Sequence, residues 1–171
     1  MTLGDFLLSR GVTYDVAPLR RAFGDIVVDS LQDSIVVNAD PDTIMDVIAD
    51  FDSYTEWQDE IKEVEVLDTD ADGWATRVRF KVDAMITEAN YVLDYTYEDT
   101  AMRWTMVEAD KLKSQEGSYE LTDQGDGTTL VTYSLELEPA IKVPSMIRKQ
   151  GVKRIAHAAL KSLKRRVESL S

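Results

Sequence analysis

The chain has 171 residues, 44% of them hydrophobic and 30% charged, with a net charge of −13 and no cysteine. That length and balance suit one folded domain with its own core, not a disordered chain. They exclude a disulfide framework and a thiolate zinc site; no apolar run reaches the roughly 20 residues that span a bilayer, and an acidic body repels nucleic-acid phosphates.

In chain order, residues 1–30 read as an N-terminal extension packed on the domain, with a short helix over Val16 to Val28 after Asp15. The opening Met1 to Arg10 lacks a basic leader region and its apolar stretch is too short for a signal peptide, so cytoplasmic residence is the default expectation. The domain proper runs from 31 to 171. Gln32 to Asn38 reads as a strand centred on Ile35, Val36 and Val37. Asp40-Pro41 then starts a helix, with a capping carboxylate followed by proline where its missing N–H does no harm. Ile44, Val47 and Ile48 recur at helical spacing, and Asp52 or Ser53 starts a second short turn through Tyr54 and Trp57.

Six strand-like segments follow. Ile61 to Asp68 ends in the turn cluster Asp68 to Gly73, whose alternating aspartates lack the rest of a calcium loop. From Trp74 to Ala84, Trp74, Thr76, Val78, Phe80 and Val82 share one face while Arg77, Arg79 and Lys81 share the other. Thr87 to Glu98 places Ala89, Tyr91, Leu93, Tyr95 and Tyr97 together, and Met102, Trp104 and Met106 alternate with Arg103 and Thr105. Gln115, Gly117, Tyr119 and Leu121 lead into a hairpin turn at Asp123 to Gly127; Thr129 to Leu137 alternates again, with Val131, Tyr133 and Leu135 inward, and Pro139 ends it.

The period then changes. After Pro144, residues 152, 155, 156, 159, 163, 167 and 170 cluster on one helical face, and Gly151 is a candidate kink. Charge segregates here as well. From Lys142 onward nine cations meet one acid, +8 on this stretch against −21 on the remainder. These cations either coat the solvent face of the helix or touch an anionic surface.

Hairpin succession implies antiparallel neighbours, and a seven-stranded antiparallel sheet twists and curls. One long helix cannot fill that concavity, so large side chains must, or an apolar cavity remains. The stretches Ile35 to Asp42 and Val47 to Trp57, with Asp50, Tyr54 and Trp57 in the pattern D-x-x-x-Y-x-x-W, carry a resemblance to a known superfamily. So do Gly117 to Thr122, Gly125 to Thr128 and Leu160 to Glu168. The chain resembles the START-like superfamily, in its polyketide cyclase/dehydrase and coenzyme-Q-binding (lipid transport) branch, over residues 31–170. The resemblance implies an α+β helix-grip fold with a hydrophobic tunnel between sheet and C-terminal helix, and apolar ligands such as lipids, polyketides or quinones.

The expected ligand-lining residues are Trp74, Val78, Phe80, Tyr91, Leu93, Tyr95, Trp104, Met106, Gln115, Tyr119 and Tyr133 from the sheet, with Ile155 and Ala159 from the helix. Each of them also suits a plain core position. Glu108 shares parity with Trp104 and Met106; inward, it would be a carboxylic acid with a raised pKa, and otherwise a solvated strand end. Glu88 falls on the outward side. One histidine, His157, and no cysteine leave no Cys–His pair or histidine-rich metal site, so no metal or cofactor is expected. Three functions compete: a carrier of an apolar small molecule; a metal-free cyclase or dehydratase using Tyr91, Tyr133 and Glu108; and a module that meets a membrane surface or acidic partner through its basic helix.

Overall fold

The computed structural model describes residues 29–84 and 87–171. The expected helix at Val16 to Val28 lies outside the described residues. The strands are β1 (Asp29–Val37), β2 (Ile61–Thr69), β3 (Ala75–Ala84), β4 (Thr87–Glu98), β5 (Ala101–Ala109), β6 (Leu112–Asp123) and β7 (Thr129–Pro139). Helix α1 (Pro41–Ala49) runs through a 3-10 turn at Phe51–Ser53 into α2 (Tyr54–Trp57), and α3 (Ser145–Ser169) closes the chain.

The strands form one antiparallel sheet in the order β1-β7-β6-β5-β4-β3-β2. Each hairpin places consecutive strands side by side. The exception is the step from β1 to β2, which crosses the whole sheet by way of α1 and α2. This is the expected helix-grip architecture, with β1 beginning at Asp29, three residues earlier than its hydrophobic centre suggests.

Local chemistry sets the helical segment. Asp40 Oδ1 accepts the Thr43 amide at 2.8 Å, Pro41 occupies the first turn, and Ile44, Met45, Val47 and Ile48 turn inward. The Tyr54 hydroxyl donates to the Ile48 carbonyl, and the Phe51 ring lies 4.8 Å from Tyr54 and 4.6 Å from Tyr95. This aromatic plug joins α1 and α2 to the sheet.

Helix α3, about 38 Å long, is one continuous helix through Gly151. It lies nearest β1, β7, α1 and α2. Val152, Ala156, Ala159, Leu160, Leu163 and Val167 form its buried face. Two expected members are not in it: Ile155 is 46% exposed and Leu170 is 59% exposed. Ile155 sits at the flank of the stripe, and Leu170 falls past the last turn. Leu160, which continues the four-residue steps from Val152 and Ala156, takes a core position instead.

The outer face of the sheet is polar. Asp94 accepts a two-pronged pair from Arg77, Glu65 and Glu63 accept from Arg79 and Lys81, and Glu98 and Glu120 flank Arg103. The Asp68 to Gly73 cluster is a turn: Asp70 Oδ1 accepts the amides of Asp72 and Trp74.

Candidate functional site

Burial along the inner face is graded. Near α1 and α2 the interior is closed by Phe51, Tyr54, Phe80 and Tyr95, with Val78 fully buried. Leu93, Trp104, Tyr119 and Tyr133 fill the middle, all at least nine-tenths buried, and Ala159 of α3 belongs to the same buried core. Ring centroids of Trp104 stand 5.5 Å from Tyr133, 5.8 Å from Tyr119 and 6.1 Å from Tyr95. At the far end the inward residues Ile61, Val82, Tyr91, Met106, Gln115 and Leu137 are only partly buried.

The helix over that far end leaves apolar groups uncovered. Eleven residues make three turns, so Ile155 lies on the same flank of α3 as Arg166. Arg166 pairs with Glu56 of α2 at 2.9 Å, whereas Lys164 on the other flank donates to the Val36 carbonyl of β1. Ile155 therefore faces away from β1, toward the half of the sheet the helix does not cover, and it stays half exposed.

A defect in the sheet opens this end further. Leu93 pairs with Met106 but Val92 pairs with Glu108, which makes Val107 an extra residue, a β-bulge. The β5–β6 ladder stops at Thr105 and Glu116. A solvent-open cleft of about 270 Å³ lies at the split, lined by Met106, Gln115, Thr105, Lys113, Glu116 and Glu136, with Ser114. A second cleft, of about 210 Å³, lies at the opposite end among α1, α2 and the end of α3, where Asp46 and Asp50 face Arg166.

The bulge also corrects the expected parity. Glu108 stands exposed opposite the outward Val92, so it does not enter the interior beside Trp104 and Met106. Glu88 is exposed near Lys81. Trp74 precedes β3 rather than belonging to it. Its ring rests 5.0 Å from Tyr97, whose hydroxyl donates to the Ala75 carbonyl, so Trp74 closes the edge near β2 instead of facing the middle of the inner face. His157 is exposed on α3.

The polar groups inside are donors. Tyr91 and Gln115 both lie at the partly buried end, and loss of water around the Tyr91 hydroxyl pushes its pKa up to about 12. Burial raises Tyr95, Tyr119 and Tyr133 as well, so all four hydroxyls keep their protons at neutral pH. Trp104 Nε1 is buried and has no hydrogen-bond partner among the described residues. No group of three or more metal-ligating side chains gathers among the described residues. On the outer wall of the cleft, partial loss of water and the neighbouring Glu116 carboxylate both raise the pKa of Glu136, which is otherwise exposed.

The polyketide cyclase / dehydrase and lipid transport family matches residues 29–168, from the first strand to the last turn of α3. The chain belongs to this family. Among solved structures, a START superfamily protein from Mycobacterium smegmatis shares the fold with TM-score 0.78 and 24% identity, covering 83% of this chain and 99% of that one. The Zhui aromatase/cyclase from Streptomyces sp. R1128 matches with TM-score 0.71 and 15% identity over 82% and 94% of the two chains. A protein of Thermus thermophilus matches with TM-score 0.71 and 20% identity over 84% and 99%. At these identities the likeness concerns the fold. Among curated proteins none matches the sequence. Membership suits the architecture, a sheet–helix grip with an apolar inner face, and no helix among the described residues is long and apolar enough to cross a membrane.

Sequence parity found most of the inner face, Val82 and Leu137 included, but not that these two share the open end with Met106. The Glu116–Glu136 pair arises from register between β6 and β7, which no local pattern displays.

Proposed function

We propose that the chain binds an apolar small molecule of lipid, polyketide or quinone type at the open end of its inner face. The observation that carries this reading is the gradient of burial. The same apolar surface that is sealed near α1 is left partly uncovered at Val82, Tyr91, Met106 and Leu137, and Ile155 of α3 is half exposed. Covering such surface is worth about 25 cal/mol for each Å² removed from water. Tyr91 and Gln115 add a polar point within an apolar rim, the usual arrangement for orienting a ligand. The family, and the aromatase/cyclase sharing the fold, support the same ligand class.

An acid–base reaction through Tyr91, Tyr133 and Glu108 finds less support, because Glu108 is exposed on the outer side of the bulge. Binding is therefore the reading argued here. The test is titration of the purified chain with a fatty acid, a naphthoquinone and a fluorescent naphthalene sulfonate, followed by tryptophan and probe fluorescence. Saturable one-to-one binding of an apolar compound, displaced by a second one, is expected. Lack of saturable binding across the panel overturns the proposal.

A further inference from the structure

We propose that the projecting start of α3 and the loop before it dock on an anionic lipid bilayer. Most cations of the sheet are matched by carboxylates, while Lys62 and Lys111 donate to the Asp59 and Glu88 carbonyls. On the sheet, Arg77, Arg79, Lys81, Arg103 and Lys113 each close an ion pair with a carboxylate. At the start of α3 and before it, Lys142, Lys149, Lys153 and Arg154 are exposed and close no ion pair among the described residues; Lys161 and Arg165 continue that unpaired set further along the helix. No acid occurs between Glu138 and Glu168 to neutralise them.

The same segment carries exposed apolar side chains. Met146 is 71% exposed and Ile141 69%, with Ile147 and Ile155 about half exposed. In the first six residues of the helix none is buried; the continuous core face begins at Val152. The helix therefore starts beyond the edge of the core, as a tip. Ile147, Gly151 and Ile155 follow at four-residue steps along one flank, and a Cβ added at Gly151 meets nothing, so that flank is open.

Three occupants would fit differently. An acidic protein would satisfy the cations and leave the isoleucines and Met146 wet. A neutral bilayer would take the apolar groups and leave the cations without counter-charge. An anionic bilayer takes both, with apolar side chains among the upper acyl chains and lysines at the headgroups. The acidic remainder of the chain is repelled by the same surface, which orients the molecule tip-down. Ile155 belongs to both the tip and the open end of the inner face, so docking would bring that end to the lipid. The docking itself does not depend on the ligand-binding proposal.

The experiment is sedimentation of the full chain with vesicles of phosphatidylcholine alone and of phosphatidylcholine with phosphatidylglycerol, at low and high salt. Binding to the anionic vesicles alone, weakened by salt, is expected. Replacing Lys149, Lys153 and Arg154 together by Gln should weaken it about a hundredfold, at about 1 kcal/mol for each cation. Ile147→Ser with Ile155→Ser should weaken it severalfold with the charges intact; circular dichroism and thermal unfolding confirm that both variants fold. No binding to anionic vesicles at low salt overturns the proposal. So does unchanged binding of either variant, or binding to polyglutamate without binding to vesicles. The ligand titration above uses no vesicles, so its failure and this one are distinguishable.

Discussion

The indole of Trp104 rests over the α-carbon of Gly117, its partner across β5 and β6. A Cβ at position 117 would stand 2.4 Å from Trp104 Cζ2 and 2.5 Å from the Ser134 carbonyl oxygen. Glycine is needed here for space rather than for an unusual φ. The gap it leaves lets the ring lie down on β6, beside Tyr119 and Tyr133, and fill the middle of the inner face.

Gly117→Ala should therefore destabilise the fold by about 3 kcal/mol, as an overpacked core position does. Urea unfolding measures this. On a Trp104→Leu background the penalty should shrink, because one of the two clashes is gone while the carbonyl remains. Strict additivity of the two substitutions would contradict the contact.

The faces of α3 give a contrast within one helix. Leu163 is fully buried, and Leu163→Ala should cost about 3 kcal/mol. Ile155→Ala should stay within about 0.5 kcal/mol, since the side chain is half in water. Equal losses in chemical denaturation would place Ile155 in the core after all.

Glu136 predicts a pH dependence. Its folded pKa is raised, by partial loss of water first and then by Glu116, so the folded chain holds this proton more tightly than the unfolded chain does. The stabilising contribution is present below the unfolded carboxyl pKa and is lost as pH rises through the folded value. Glu136→Gln removes that loss. Its melting temperature should match the parent in acid and exceed it at neutral pH; a constant difference across the range would refute the assignment.

For ligand binding, Met106→Trp should weaken affinity at least tenfold by filling the open end, and Tyr91→Phe should weaken it a fewfold by removing a hydroxyl from that end. Glu108→Gln should leave it unchanged within twofold, because that side chain stands on the other side of the bulge. Fluorescence titration of an apolar probe reads all three. A large effect of Glu108→Gln alone would reverse the assignment of faces.

Much of this was readable beforehand. Val78, Phe80, Leu93, Tyr95, Trp104, Tyr119 and Tyr133 face inward as two-residue alternation requires, since a strand turns successive side chains to opposite sides whatever surrounds it. The cap at Asp40-Pro41 is equally local. Parity fails where an extra residue enters. Val107 shifts the count by one, and nothing in Met106-Val107-Glu108 announces a bulge. Helical periodicity likewise assigns Ile155 to a stripe but cannot say where that stripe stops being covered.

The amino-acid order alone determined the elements, their antiparallel succession, the helix-grip architecture and the concentration of cations in the last thirty residues, because all of these follow from local periodicity, turn chemistry and counting. Only the tertiary structure decided which end of the inner face stays open, that Glu108 is outside, and that Trp104 needs Gly117. It also decided that Lys149, Lys153 and Arg154 close no ion pair among the described residues while Arg77, Arg79, Lys81, Arg103 and Lys113 on the sheet are each matched by a carboxylate. Each of these depends on the register between strands and the seat of the helix on the sheet, which are relations between residues far apart in the chain.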